Sequence, residues 1–196
     1  FQPPSRNASL EGVQRPADEV VDRSLRWLDD RRPGQPVLLW VHLYDPHTPY
    51  APPEPFRSEY RGRPYLGEIA FVDSQIGRLI SYLGDTGLAE AVIVVAGDHG
   101  ESLNEHGEQE HGFFIYEETV HVPLIFSGRL SGAAGTRRSE VASLVDILPT
   151  MLDISGLPIP AEVQGRSLAP LFDPAAAAPP RSVYAESYYP RLRYGW

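Results

Sequence analysis

Gly97-Asp98-His99-Gly100-Glu101 sets a carboxylate beside an imidazole between two glycines. Aspartate oxygen and imidazole nitrogen both suit a divalent cation, and the flanking glycines let the backbone turn sharply and approach a ligand closely. On the residues alone, metal binding by Asp98 and His99 competes with a turn in which Asp98 caps a helix and His99 is solvated. A second candidate is His47, bracketed by Pro46 and Pro49 in His42-Leu43-Tyr44-Asp45-Pro46-His47-Thr48-Pro49-Tyr50. Two prolines stiffen the backbone around it, and a rigidly held imidazole suits anion binding or proton donation. His42, inside an apolar run, reads as a buried core histidine. Taken singly, His106, His111 and His121 read as surface or structural residues. Glu105, Glu108 and Glu110 read as one solvated loop face.

Three elements must hold these groups. Val37-Leu38-Leu39-Trp40-Val41 and Ala91-Val92-Ile93-Val94-Val95-Ala96 are continuous apolar runs of strand length, suited to strands buried on both faces. Between them, Ile69, Val72, Ile76, Leu79 and Leu83 mark one face of a helix over 66–83, which Gly84 or Gly87 can end. Strand, helix and strand at crossover length predict a βαβ unit with parallel strands. An earlier helix is predicted over 17–30 from Val21, Leu25 and Leu28, with Pro16 at its start. Val122–Phe126 offers a shorter strand and Val183–Glu186 a late one. A helix over 147–155 could take its cap from Asp146. The class is α/β, and in open α/β sheets ligands sit beyond the carboxyl ends of the strands. Both His47 and the Asp98-His99 pair fall there.

The 196 residues carry a net charge of −9, with 42% apolar and 22% charged residues. That is ordinary globular composition. No basic stripe is available to replace counterions on a nucleic acid. No apolar run reaches the length of a membrane helix. With no cysteine, disulfides, thiolate metal sites and a cysteine nucleophile are excluded from the chain. The chain starts at Phe1 without methionine, so an excised or trimmed start is expected, and the lack of a targeting segment says nothing of the parent protein. The prolines cluster at 46–55, 158–160 and 170–180, and residues 170–182 read as a loop or linker.

The Gly97–Glu101 motif, the His47-x-Pro49-Tyr50 loop and the stretch from Glu110-His111-Gly112 to Val122-Pro123-Leu124-Ile125 occur in this order in sulfatases. Phosphonate monoester hydrolases and other members of the alkaline phosphatase superfamily are similar. Glu68–Asp73, Ser143–Thr150 and Gln164–Leu168 also resemble the family, so the likeness covers about residues 36 to 190. It implies an alkaline-phosphatase-like α/β domain with a mixed, mostly parallel sheet flanked by helices. Residues 1–196 would be the C-terminal portion of that domain, present without the portion that bears the nucleophile.

Carried over, the resemblance makes Asp98 and His99 two ligands of one divalent metal ion. Calcium is the expected ion of a sulfatase, and the Asp-His form is similar to relatives that prefer manganese or zinc. His47 would contact the transferred group and protonate the leaving oxygen, and His111 would grip the same group where many members have a lysine. The family nucleophile is a formylglycine from a Cys/Ser-x-Pro-x-Arg motif, and no such motif occurs here. The isolated chain is therefore expected to be inactive. The implied substrate is a small-molecule or glycan sulfate ester, the implied location periplasmic or extracellular, and a homo-oligomer could form through exposed surface. Phosphoester or phosphonate monoester hydrolysis and a non-catalytic module stay open as alternatives.

Overall fold

The computed structural model describes residues 14–32, 34–130 and 134–195, in two units divided between Ala89 and Glu90. In the first unit, α1 (Ala17–Asp29) buries Ala17, Val21, Ser24 and Leu28 along one stripe. Asp18 and Glu19 in its first turn complement the helix dipole, and the Asp45 carboxylate accepts the Ala17 amide at 2.8 Å. After a one-turn helix, α2 (Phe56–Glu59), the long α3 (Pro64–Asp85) packs on α1. Arg78 of α3 donates to Asp22 of α1 at 2.6 Å, and Tyr82 donates to Asp29 at 2.5 Å.

The buried face of α3 differs from the predicted one. Gly67, Glu68, Phe71 and Gln75 are buried, whereas Ile69 is 41% exposed and Val72, Ile76, Leu79 and Leu83 are half-buried. The reason lies at Gly67, which faces Pro52 and Tyr60 so closely that a Cβ would stand 2.8 Å from Pro52 Cγ. The helix turns its small and polar residues to the proline-rich loop, and apolar periodicity does not register that. The predicted strand at 37–41 takes no regular secondary structure and joins no ladder among the described residues. Leu38 and Trp40 are 83% and 89% exposed. His42, expected in the core, is exposed.

In the second unit, β1 (Ile93–Ala96) pairs antiparallel with β2 (Leu124–Ser127), in the register Ile93↔Ser127 and Ala96↔Leu124. The expected parallel partner of β1 is not in this ladder, the only one among the described residues. Antiparallel pairing brings both ends of the 97–123 excursion out at one end of the ribbon, where the Gly97 amide donates to the Pro123 carbonyl at 3.2 Å. That excursion contains α4 (Glu117–Val120).

Further along, a 3-10 turn at Leu144–Asp146 leads into α5 (Ile147–Ile154). Asp146 is fully buried but makes no side-chain cap to α5. Its carboxylate instead accepts the Ser143 amide at 2.8 Å, the Arg166 amide at 2.9 Å and both terminal nitrogens of Arg181. Burial pushes this carboxyl upward, but the Arg181 guanidinium and the two amides together outweigh burial and hold it below its ordinary value. Thr150 Oγ1 accepts the Leu168 amide at 2.8 Å, tying α5 to the turn at Ala169–Phe172. The 170–182 segment begins in that turn and is pinned by Arg138, which donates to the carbonyls of Asp173, Pro174 and Ala176. No strand forms at 183–186, and a short α6 (Tyr189–Tyr194) ends the described chain.

Candidate functional site

The first unit contributes the loop 44–51. His47 Nδ1 lies 2.7 Å from the Thr48 carbonyl. A carbonyl only accepts, so Nδ1 carries the proton, and the basic nitrogen of the neutral ring is Nε2. Tyr44 stacks on the imidazole with centroids 4.4 Å apart. Beneath the loop, Glu68 of α3 accepts the His47 amide at 3.0 Å with Oε2 and the Ala51 amide at 2.6 Å with Oε1. Glu68 is 4% exposed. Burial raises its pKa above the ordinary carboxylate value, against the opposing pull of the Ala51 and His47 amides. Burial likewise raises Asp45, over the lowering by the Ala17 amide.

The second unit contributes the 97–123 excursion. Asp98 and His99 follow directly on the carboxyl end of β1. Asp98 Oδ1 accepts the His99 amide at 3.0 Å, and His99 Nδ1 lies 2.8 Å from the Gly100 carbonyl. By the same reasoning the His99 proton is on Nδ1. Its Nε2 stands 3.9 Å from Asp98 Oδ1, and both side chains are largely exposed. The His111 ring stacks on His99 with centroids 3.8 Å apart. His111 Nδ1 in turn lies 3.0 Å from Oε1 of Glu101, whose side chain is only 6% exposed. Asp98, His99, Glu101 and His111 thus form one cluster.

Close packing fixes this cluster's backbone. The Gly100 amide donates to the Thr119 carbonyl at 2.9 Å, and a Cβ at Gly100 would overlap the Glu118 carbonyl oxygen. Glu108 is 9% exposed, and its Oε1 accepts the Phe113 amide at 2.9 Å and the Phe114 amide at 3.4 Å. It is a buried organiser of the His111 loop, not part of a solvated face. Gly112, at φ +112, lets its backbone pass against Tyr189, and Ser187 Oγ donates to the Gly112 carbonyl.

The donor set fits a divalent cation as part of its shell. A metal-binding histidine commonly donates its other ring N–H to a carbonyl, and His99 does this with Gly100. The described residues contain no group of three or more His, Cys, Asp or Glu placed to hold a metal, so Asp98 and His99 would supply two of its ligands. Ser102 and Thr119 are not nucleophiles in this arrangement. Both are buried, with Ser102 Oγ donating to the Glu108 carbonyl at 2.7 Å and Thr119 Oγ1 to the Tyr116 carbonyl at 2.9 Å.

The structure therefore gathers Asp98, His99 and His111 and places His47 on a clamped loop of the other unit. Glu101 and Glu68 emerge as partners that motif reading missed. Glu101 stood inside the quoted motif, and Glu68 shares a helical stripe with Phe71 and Gln75, which is the available signal for a carboxylate on a buried face.

Comparison with known proteins adds three kinds of likeness. The family model for sulfatases matches residues 3–157. An N-acetylglucosamine-6-O-sulfatase of Bacteroides thetaiotaomicron is 38% identical over 118 residues, covering 60% of this chain and 21% of the relative. Human arylsulfatase K (Homo sapiens) is 43% identical over 108 residues, covering 55% of this chain and 20% of its own length. An arylsulfatase of Clostridium perfringens is 28% identical over 213 residues, with 86% and 44% covered. The chain thus spans about a fifth to under half of these curated relatives. Among solved structures, a protein in complex with its substrate D-glucosamine-2-N,6-O-disulfate superposes with a TM-score of 0.71 at 23% identity, over 82% of this chain and 52% of that one.

Proposed function

The chain belongs to the sulfatase family, and from that premise we propose that the whole protein is a sulfuric ester hydrolase acting on a sulfated sugar. The cluster of Asp98, His99, Glu101 and His111 at the carboxyl end of β1 carries the reading. The sugar assignment is supported by the N-acetylglucosamine-6-O-sulfatase relative. In this proposal Asp98 Oδ and His99 Nε2 hold one divalent metal ion, with calcium expected and manganese or zinc as alternatives. When bound, that ion supplies positive charge for the nonbridging oxygens of the ester. His111, with Nδ1–H on Glu101, donates to the sulfuryl group from Nε2–H as the imidazolium. His47 acts as the imidazolium: it keeps Nδ1–H on the Thr48 carbonyl, gives its Nε2 proton to the leaving oxygen and is left as the neutral Nδ1–H ring. The nucleophile is assigned to a segment outside these 196 residues, because they contain no Cys/Ser-x-Pro-x-Arg motif; the hydroxyls of Ser102 and Thr119 are buried and engaged. A mixed, mostly parallel sheet is proposed for the whole protein. It is supported by the run at 37–41, which has the composition of a central strand while Val37, Leu38 and Trp40 stand exposed.

The test is turnover of p-nitrophenyl sulfate, p-nitrophenyl phosphate and a 6-O-sulfated aminosugar by the full-length protein with calcium, manganese or zinc. Sulfate turnover should exceed phosphate turnover. Asp98→Ala should lower both the bound metal and kcat/KM, the latter by roughly a hundredfold or more. Preferential phosphate turnover would replace this reading with the phosphoester one.

A further inference from the structure

Glu68 has no part in the mechanism above, yet it is the most specifically placed carboxylate of the first unit. It is 4% exposed on a helix face shared with Gly67, Phe71 and Gln75. A buried carboxylate is costly unless hydrogen bonds satisfy it. Here each oxygen takes a backbone amide, His47 N at 3.0 Å and Ala51 N at 2.6 Å. The two amides are therefore within about 8 Å of each other, given the fixed spacing of carboxylate oxygens. They bracket the residues whose geometry decides what the His47 ring can do, including the Thr48 carbonyl that receives Nδ1–H at 2.7 Å. Gly67 makes the arrangement reachable, because a side chain there would press on Pro52 and push α3 from the loop.

We propose that Glu68 is a positioning residue for His47: its carboxylate clamps the His47–Ala51 loop by both ends, and the clamped loop fixes the tautomer and direction of the imidazole. The proposal rests on the reading of His47 as the leaving-group acid. It assigns a function to a residue that touches no substrate. Glutamine cannot do the same work, since its single carbonyl oxygen can face one amide while its NH2 meets the other donor head-on. Aspartate has the same carboxylate but stops one methylene short of reaching the two amides.

Leaving-group dependence separates this role from a general structural one. p-Nitrophenolate departs readily without a proton, whereas a sugar alkoxide needs one. In the full-length protein, Glu68→Gln should lower kcat/KM on a sulfated aminosugar roughly 10- to 100-fold, within the range general acid catalysis supplies. It should lower kcat/KM on p-nitrophenyl sulfate less than about threefold. Adding Glu68→Gln to His47→Ala should cost almost nothing further, because the two act as a unit. The exposed Glu59→Gln serves as a control expected to match wild type. Equal losses on both substrates, or full additivity with His47→Ala, overturn the proposal. If Glu68→Gln folds poorly, Glu68→Asp is read in the same way. Nitrogen NMR of the His47 ring gives a readout independent of turnover. Glu68→Gln should disturb the Nδ1–H tautomer, and an unchanged ring signal overturns the positioning role whatever the protein hydrolyses. Absence of sulfate turnover in the wild type overturns the functional reading alone.

Discussion

Asp146→Ala should be among the most destabilising single substitutions in the second unit. The side chain is fully buried and takes the amides of Ser143 and Arg166 and the Arg181 guanidinium. Alanine leaves two amides without their acceptor, at about 1–3 kcal/mol each where they stay unsolvated. It also strands a guanidinium whose side chain is only 18% exposed. Losing one partner of a buried pair costs about 3–5 kcal/mol, a large share of a typical stability of about 5–15 kcal/mol. In a unit of this size the melting temperature should fall by on the order of 15 °C or more. Arg181→Met should cost less, since Asp146 keeps its amides, and the double variant should cost less than the sum. The sign of the pH dependence follows from the lowered carboxyl. Its contribution is full above the unfolded aspartate pKa of about 4 and is lost as pH falls through the lower folded value. Calorimetric melting of wild type and Asp146→Ala should therefore show a wide gap at neutral pH that closes on acidification below pH about 4. A gap under about 1 kcal/mol at neutral pH, or one that ignores pH, refutes this account of the pair.

Two further outcomes bear on the candidate site. Gly100→Ala should cost at least about 1–3 kcal/mol and lower metal binding, because its Cβ would overlap the Glu118 carbonyl and the backbone there cannot yield. Melting and metal analysis of the same preparation check it. Glu101→Gln should lower kcat/KM on sulfate esters by roughly tenfold while leaving bound metal unchanged, because it loosens His111 and spares Asp98 and His99.

Helices α1 and α3 were legible because each carries several turns of consistent pattern. The position of Asp98 and His99 just past the carboxyl end of a strand was legible too, since a strand followed by Gly-Asp-His-Gly can end in few ways. The run at 37–41 pairs with no strand among the described residues, for a physical reason. Apolar content shows that a strand could be buried, but a ladder needs a neighbour, and that information is not local. The antiparallel partner of β1 was hidden similarly. The 122–126 run was visible, but its direction is set by how the 97–123 excursion closes on itself through Gly97 and Pro123.

The misread carboxylates share one cause. Acidic side chains are expected on the surface, yet Glu68, Glu108 and Asp146 are buried, as is the side chain of Glu101. Glu68, Glu108 and Asp146 accept backbone amides from loops rich in proline or glycine. Such loops form no ladder, so their buried N–H groups must find acceptors elsewhere. One carboxylate can take two amides at once: Glu68 takes one on each oxygen, whereas Glu108 takes both on Oε1 and leaves Oε2 buried without a hydrogen bond. A buried acid is one acceptor that can serve an irregular loop bearing a histidine. The sequence shows such an acid only as one more charge. Among the described residues, Glu68 serves in this way for the His47 and Ala51 amides and Glu108 for the Phe113 and Phe114 amides beside His111.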